Sequence, residues 1–158
     1  MNIELKGVVF EDFVNYKKPS MYLAFPKCDF KCDRECGHAV CQNSQLANSE
    51  NISINIQRLV EKYLKGDIAK AIVCGGLEPL DSFEQLYAFI KYFRVFKDDD
   101  IVIYTGYTEE EAKRKIEPLK KYNNIIVKFG RFIPNQPSHY DEVLGVKLAS
   151  PNQYGKKI

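Results

Sequence analysis

The chain has 158 residues, 45% of them hydrophobic and 28% charged, with a formal net charge of +2. That length suffices for one domain with a real core, expected to span residues 1–158, and the near-neutral balance excludes a partner held mainly by charge, such as nucleic acid or an anionic membrane surface. No apolar run approaches the ~20 residues that cross a bilayer, and the N-terminus MNIELKGVVFEDF lacks the basic-then-apolar pattern of a leader, so a cytoplasmic location is expected.

Ile3 to Phe10 alternates and ends in an apolar run, which predicts a first strand; the polar segment from Asp12 to Pro19 reads as a loop. Met21 to Phe25 is a short apolar run stopped by Pro26, as expected of a buried strand. Lys27 to Asn51 is long and aperiodic, and a loop of that length inside a domain is functional or disordered. Ile56, Leu59, Val60, Tyr63 and Leu64 fall at helical spacing, with Ser53 as N-cap and Gly66 as C-cap. Ala71 to Cys74 is a short buried strand, and Ser82 to Phe96 an amphipathic helix with Phe83, Leu86, Phe89, Ile90 and Phe93 on one stripe. Ile101 to Tyr104 is a strand. Thr108 then caps a helix running to Leu119, with Glu111 placed for a capping box. Lys113 to Lys121 reads as a solvated helix face. Ile125 to Val127 is the last clear strand, and the pattern loosens from Gly130 on. Short apolar strands alternating with helices predict an α/β fold with a mostly parallel sheet. In such sheets ligands sit beyond the C-terminal strand ends, which is where the cysteine loop, the Gly75-Gly76-Leu77-Glu78-Pro79 turn and the Tyr104-Thr105-Gly106-Tyr107 turn all fall.

Five cysteines, an odd number, in a cytosolic chain point to metal or catalysis rather than a disulfide framework. Cys74, inside the apolar run AIVC, reads as a small core residue. Cys28, Cys32, Cys36 and Cys41 lie within 14 residues, with three, three and four residues between successive members. Clustered thiolates select zinc or an iron–sulfur cluster. A structural zinc site would use all four, although such sites usually show two close pairs with a longer spacer. His38 lies in the same loop, either as a ligand or as a solvated side chain; His139 carries no assigned role.

The loop resembles the cluster loop of the radical S-adenosylmethionine superfamily, whose three cysteines hold a [4Fe–4S] cluster with one iron open to the amino and carboxylate groups of S-adenosylmethionine. The Gly75-Gly76-Leu77-Glu78-Pro79 turn is similar to that superfamily's Gly-Gly-Glu-Pro turn. One branch is resembled more closely, the activating enzymes of anaerobic ribonucleotide reductase: Thr105-Gly106-Tyr107, Gly130-Arg131-Phe132 and Ser150-Pro151-Asn152-Gln153 occur in the order of that branch's short motifs. Phe129 stands where relatives often carry Asp. The resemblance implies a shortened, open (β/α) barrel with mostly parallel strands. It implies Cys28, Cys32 and Cys41 as metal ligands, with Cys36 the alternative third. Cys41 precedes Gln42-Asn43, as the third ligand does in related enzymes, and would need an insertion over Asp33 to His38, which loop closure tolerates cheaply. Gly75, Gly76, Glu78, Pro79 and Tyr104 would bind the cofactor, Glu78 at the ligand ammonium and Tyr104 near the adenine. Phe25, Phe30 and Tyr22 would wall the cluster or pack in the core, and Asn152 and Gln153 would line the open edge. The implied activity is reductive cleavage of S-adenosylmethionine to make a glycyl radical on the large subunit of a partner reductase, fed by flavodoxin or ferredoxin. Short radical enzymes acting on a small molecule, such as 7-carboxy-7-deazaguanine synthases, and a zinc-stabilised binding module are the alternatives.

Overall fold

A computed structural model describes residues 1–37, 39–40 and 43–158. The expectations for His38, Cys41 and Gln42 fall outside the described residues. In chain order the elements are β1 (Asn2–Leu5), β2 (Gly7–Asp12), β3 (Ser20–Phe25), α1 (Lys31–Cys36), α2 (Ser44–Ala47), β4 (Ile52–Asn55), α3 (Ile56–Lys65) and β5 (Ala71–Gly76). A 3-10 turn (Pro79–Ser82) leads into α4 (Phe83–Phe93), β6 (Asp100–Tyr104) and α5 (Glu109–Ile116). A second 3-10 turn (Glu117–Leu119) precedes β7 (Ile125–Phe129), β8 (His139–Asp141), β9 (Val146–Leu148) and β10 (Tyr154–Lys157).

Six strands form one open sheet in the order β10-β7-β6-β5-β3-β2. The central pairs β3–β5, β5–β6 and β6–β7 are parallel, and the two edges, β2 and β10, are antiparallel. The expected mostly parallel α/β sheet is therefore present. Because side chains alternate along a strand, the sheet has two distinct faces. Leu23, Phe25, Ile72, Cys74, Ile101, Ile103, Ile125, Val127 and Phe129 point to one face, where they pack against α3, α4 and α5 in the main core. Phe25 is thus a core residue and does not wall the cysteine loop. Cys74 is fully buried there, and burial pushes its thiol far up, as expected of an inert core cysteine. On the other face Ala71, Val73, Val102 and Ile126 pack under Tyr16, Leu144 and Leu148. Tyr16 comes from the segment between β2 and β3 and the rest of this cover from the region after Gly130, where β8 and β9 make a small hairpin and β10 returns to pair with β7.

Three local expectations need correction. The first strand breaks into β1 and β2: β1 pairs with β4 in a separate two-stranded sheet, while β2 joins the main sheet. Asn2↔Asn55 through Leu5↔Ile52 use the residues that helical spacing alone assigned to a cap. Ser53 therefore lies in a strand, and Asn55 caps α3 by accepting from the Gln57 and Arg58 N–H groups. The long cysteine segment is not structureless, since it holds α1 and α2. Both are too short for periodicity to reveal. The capping box of α5 is formed as expected, with Thr108 Oγ1 accepting from Glu111 N–H and Glu111 Oε1 accepting from Thr108 N–H. Thr108→Ala should cost ~1 kcal/mol, read as a lower urea midpoint with an unchanged slope.

Candidate functional site

Strand parity carries the site. The face that does not meet the helices ends, at the C-terminal edge of the sheet, in Ala24 of β3, Gly75 of β5, Tyr104 of β6 and Lys128 of β7; Ala24 is in register with Gly75, and Tyr104 with Lys128. Above this row lies a cavity of about 420 Å³ lined by Cys28, Cys32, Gly75, Gly76, Glu78, Tyr104, Lys128 and Arg131 among others. That volume is of the size that takes a small molecule, ~300–1,000 Å³. Cys28 and Cys32, from opposite sides of the α1 N-terminus, both reach it. Cys36 is half-buried and is not among the lining residues. Among the described residues no three His, Cys, Asp or Glu side chains are grouped to hold a metal; Cys41 is outside them.

The glycine turn is shaped by its neighbours. Tyr22 Oη accepts from Gly76 N–H at 2.6 Å, and a Cβ on Gly75 would stand 2.6 Å from that oxygen. Gly76 has φ +88°, and its Cβ would meet the Ala24 backbone at 2.7 Å. Gly76 is thus required by the close approach of the Ala24 backbone and by its positive φ, and Gly75 makes room for the Tyr22 side chain. Burial, only partly offset by the Gly76 N–H, pushes the Tyr22 hydroxyl up to about 12, so it stays neutral. Leu77 N–H donates to Phe25 O at 3.1 Å, Glu78 N–H to Lys27 O at 2.7 Å, and Asn43 Nδ2 to Gly76 O at 3.0 Å. The turn is therefore stitched to the segments on both sides of the cysteines. Phe30 adopts φ 57° and its N–H donates to Cys28 Sγ at 3.2 Å. Burial is the main cause pushing the Cys28 thiol up to about 11, so a cation must compensate its thiolate form.

Glu78 is buried rather than a solvated turn residue. Its Oε1 accepts from Leu80 N–H at 3.0 Å and its Oε2 from Gly106 N–H at 2.8 Å. Burial raises its pKa, and these donors with the Thr105 hydroxyl oppose the rise. The carboxylate ties the end of β5 to the turn after β6. Pro79 is buried at the first position of the 3-10 turn and does not line the cavity. Tyr104 lines it through its ring, while its hydroxyl is spent on Asn15 O at 2.6 Å.

Two motifs far apart in sequence meet here. Gly130 has φ +103°, and a Cβ on it would lie 2.7 Å from Asn152 O. Asn152 Nδ2 donates to Arg131 O at 2.8 Å, and Gln153 Oε1 accepts from Ala149 and Ser150 N–H at 3.1 and 3.2 Å. Of the two, Gln153 lines the cavity. Arg131 grips Glu111 through Nη1 at 2.7 Å and Nη2 at 2.5 Å, and its Nε lies 3.2 Å from Glu35 Oε1 on α1. The cap of α5 and the cysteine helix thus share one guanidinium. Sequence reasoning did not single out Lys128. Its signal was a charged residue on the inward parity of the run IIVKF. The Glu35–Arg131–Glu111 bridge carried no signal, being non-local.

Glu78→Ala would strand buried donors on Leu80 and Gly106, and should cost ~1–3 kcal/mol per donor, measured by denaturant unfolding. The Arg131 guanidinium holds Glu111 down to about 2, below its ordinary 4.5. A depressed carboxylate stabilises the fold above its unfolded pKa and loses that contribution as pH falls through its folded one. Acid unfolding followed between pH 4.5 and 2 should therefore be shallower in Glu111→Gln than in the native chain.

A family model described as a 4Fe-4S single cluster domain, a domain found in radical S-adenosylmethionine proteins, matches residues 20–150. No curated protein and no solved structure matches the chain. The match takes in the cysteine loop, the glycine turn and the row of residues at the cavity floor, and the donor set is of the thiolate kind that iron–sulfur clusters require. The chain belongs to the 4Fe-4S single cluster domain family.

Proposed function

We propose that this chain is a radical S-adenosylmethionine activase that generates a glycyl radical on the large subunit of an anaerobic ribonucleotide reductase, drawing electrons from a flavodoxin or ferredoxin. The observation that carries this reading is the meeting of Cys28 and Cys32 with Gly75, Gly76, Glu78 and Tyr104 around one cavity, in a chain of a 4Fe-4S family. The open sheet is read as the shortened barrel of that superfamily. Cys28, Cys32 and Cys41 would hold the cluster. When bound, a [4Fe–4S] cluster with one open iron would supply the one-electron reduction for cleaving S-adenosylmethionine.

The chain's own residues bind and shield. Gly75 and Gly76 line the cavity as bare backbone, packed from behind by Tyr22 and the Ala24 backbone. Glu78 accepts from two backbone donors and the Thr105 hydroxyl, and the acceptor site that remains on the carboxylate would take a ligand ammonium. The Tyr104 ring offers the face against which an adenine would lie. Phe13 and Val14 are 62% and 73% exposed, and Val14 also lines the cavity. They form an apolar rim suited to the partner's glycine loop.

Anaerobic reconstitution with iron and sulfide should give a reduced [4Fe–4S] EPR signal that changes on adding S-adenosylmethionine. Tightly bound zinc in place of a cluster would end the radical reading. With the reductase present, a glycyl radical signal should appear on the partner; turnover of a small substrate by the chain alone would instead place it among the small-molecule radical enzymes. Replacing Cys28, Cys32 or Cys41 singly with Ala should abolish most bound iron, whereas Cys36→Ala should retain it. Equal iron loss at Cys36 and Cys41 would overturn the ligand set.

A further inference from the structure

A lysine within a buried parallel strand is costly, because an ammonium withdrawn from water needs compensation. Lys128 is 7% exposed at the cavity floor, on the inner face of β7. Its Nζ donates to Gly130 O at 2.8 Å and Thr105 O at 3.3 Å, which leaves one of an ammonium's three donors for the cavity. Among the described residues no carboxylate forms an ion pair with it. The other cations lining the cavity differ: Arg131 is balanced by Glu111 and Glu35, and Lys147 is exposed to solvent. Glu78, whose charge reaches Lys128, has already committed both oxygens to backbone donors. Burial pulls Lys128 down to about 8, while Glu78 and then Cys32 hold it up, so the ammonium is the major form at pH 7.

Thus the cavity that gathers Cys28 and Cys32 carries one buried positive charge that, among the described residues, no carboxylate pairs with directly. We propose that Lys128 sets the redox poise of the metal centre: its ammonium, buried in the wall of the cavity that Cys28 and Cys32 also line, stabilises the more negative reduced state and makes the cluster easier to reduce. The inference rests on the cluster reading above. Its step is the transfer of one electron from an external one-electron donor to the cluster; no bond breaks and no proton moves. A nearby fixed positive charge raises a cluster's reduction potential because reduction adds negative charge to a site of low polarisability. Lys128 acts through the cluster, so it is a positioning residue for charge and not a catalytic one.

The test is an EPR-monitored potentiometric titration of the reconstituted full chain at pH 7, with Lys128→Met, Lys128→Gln and Lys128→Arg. Both neutral variants should take up the cluster and titrate at lower potential, with the reduced-to-oxidised ratio at a fixed applied potential falling about tenfold, ~59 mV for one electron. Lys128→Arg should stay near the native midpoint. Loaded neutral variants with the native midpoint would overturn the proposal. So would an equal shift in Lys128→Arg, which would assign the effect to lost hydrogen bonds at Thr105 and Gly130. Loss of the cluster from both neutral variants, with the fold intact by circular dichroism, would also overturn it, making Lys128 a requirement for assembly. Failure of the native chain to assemble any cluster is a separate result that removes the cluster reading itself.

Discussion

The site depends on the register of four parallel strands. That register brings Ala24, Gly75, Tyr104 and Lys128 to one level on one face, and it leaves a hollow there because two of the four are nearly without side chain. Gly75 cannot be larger, since Tyr22 Oη occupies the position of its Cβ. The tyrosine in turn is held by Gly76 N–H. A one-residue slip would send Lys128 into the helix-facing core and Phe129 into the cavity, so burial of the opposite face enforces the geometry of this one.

Around that row, separate loops are joined by polar groups with more than one partner. Glu78 links the glycine turn to the turn after β6 through Leu80 and Gly106 N–H. Arg131 links the cap of α5 to α1 through Glu111 and Glu35. Asn43 reaches Gly76 from beyond the cysteines. The Glu78 bonds and the Arg131 guanidinium are shielded, where an unpaired group is expensive, while the Glu35 and Glu111 carboxylates reach the guanidinium from the surface. Such bonds therefore specify loop positions more strongly than exposed contacts would. The segment leading into the cysteine helix is held by the Phe25 and Lys27 carbonyls meeting the glycine turn, and the helix itself meets Arg131 through Glu35.

The charges of the cavity differ in how they are balanced. Arg131 is neutralised twice over, Glu78 is solvated by backbone dipoles, and Lys128 is held by two carbonyls and lies over the Tyr104 ring. A family that binds a 4Fe-4S cluster brings further negative charge to such a site. That difference connects the fold of β7 to the redox chemistry proposed for the cysteine loop.

Local patterns were enough to determine the four apolar parallel strands, the three longer helices, the capping box at Thr108 and the role of Cys74, because each depends on burial or hydrogen bonding within a few residues. The cysteine spacing and the Gly75-Gly76-Leu77-Glu78-Pro79 turn likewise marked the site before any fold was known. The pairing of β1 with β4 overrode the helix start at Ser53, since its strand partner Glu4, far away in sequence, leaves no local trace. The same holds for the cover made by β8 to β10, for Arg131 between Glu35 and Glu111, and for the spent hydroxyl of Tyr104. Lys128 lies between these cases: its inward parity can be read along β7, but only the packing of the sheet under Tyr16, Leu144 and Leu148 and its open upper row decide that inward means a cavity. Sequence fixes which side a residue faces; what lies on that side is a property of contacts between distant segments.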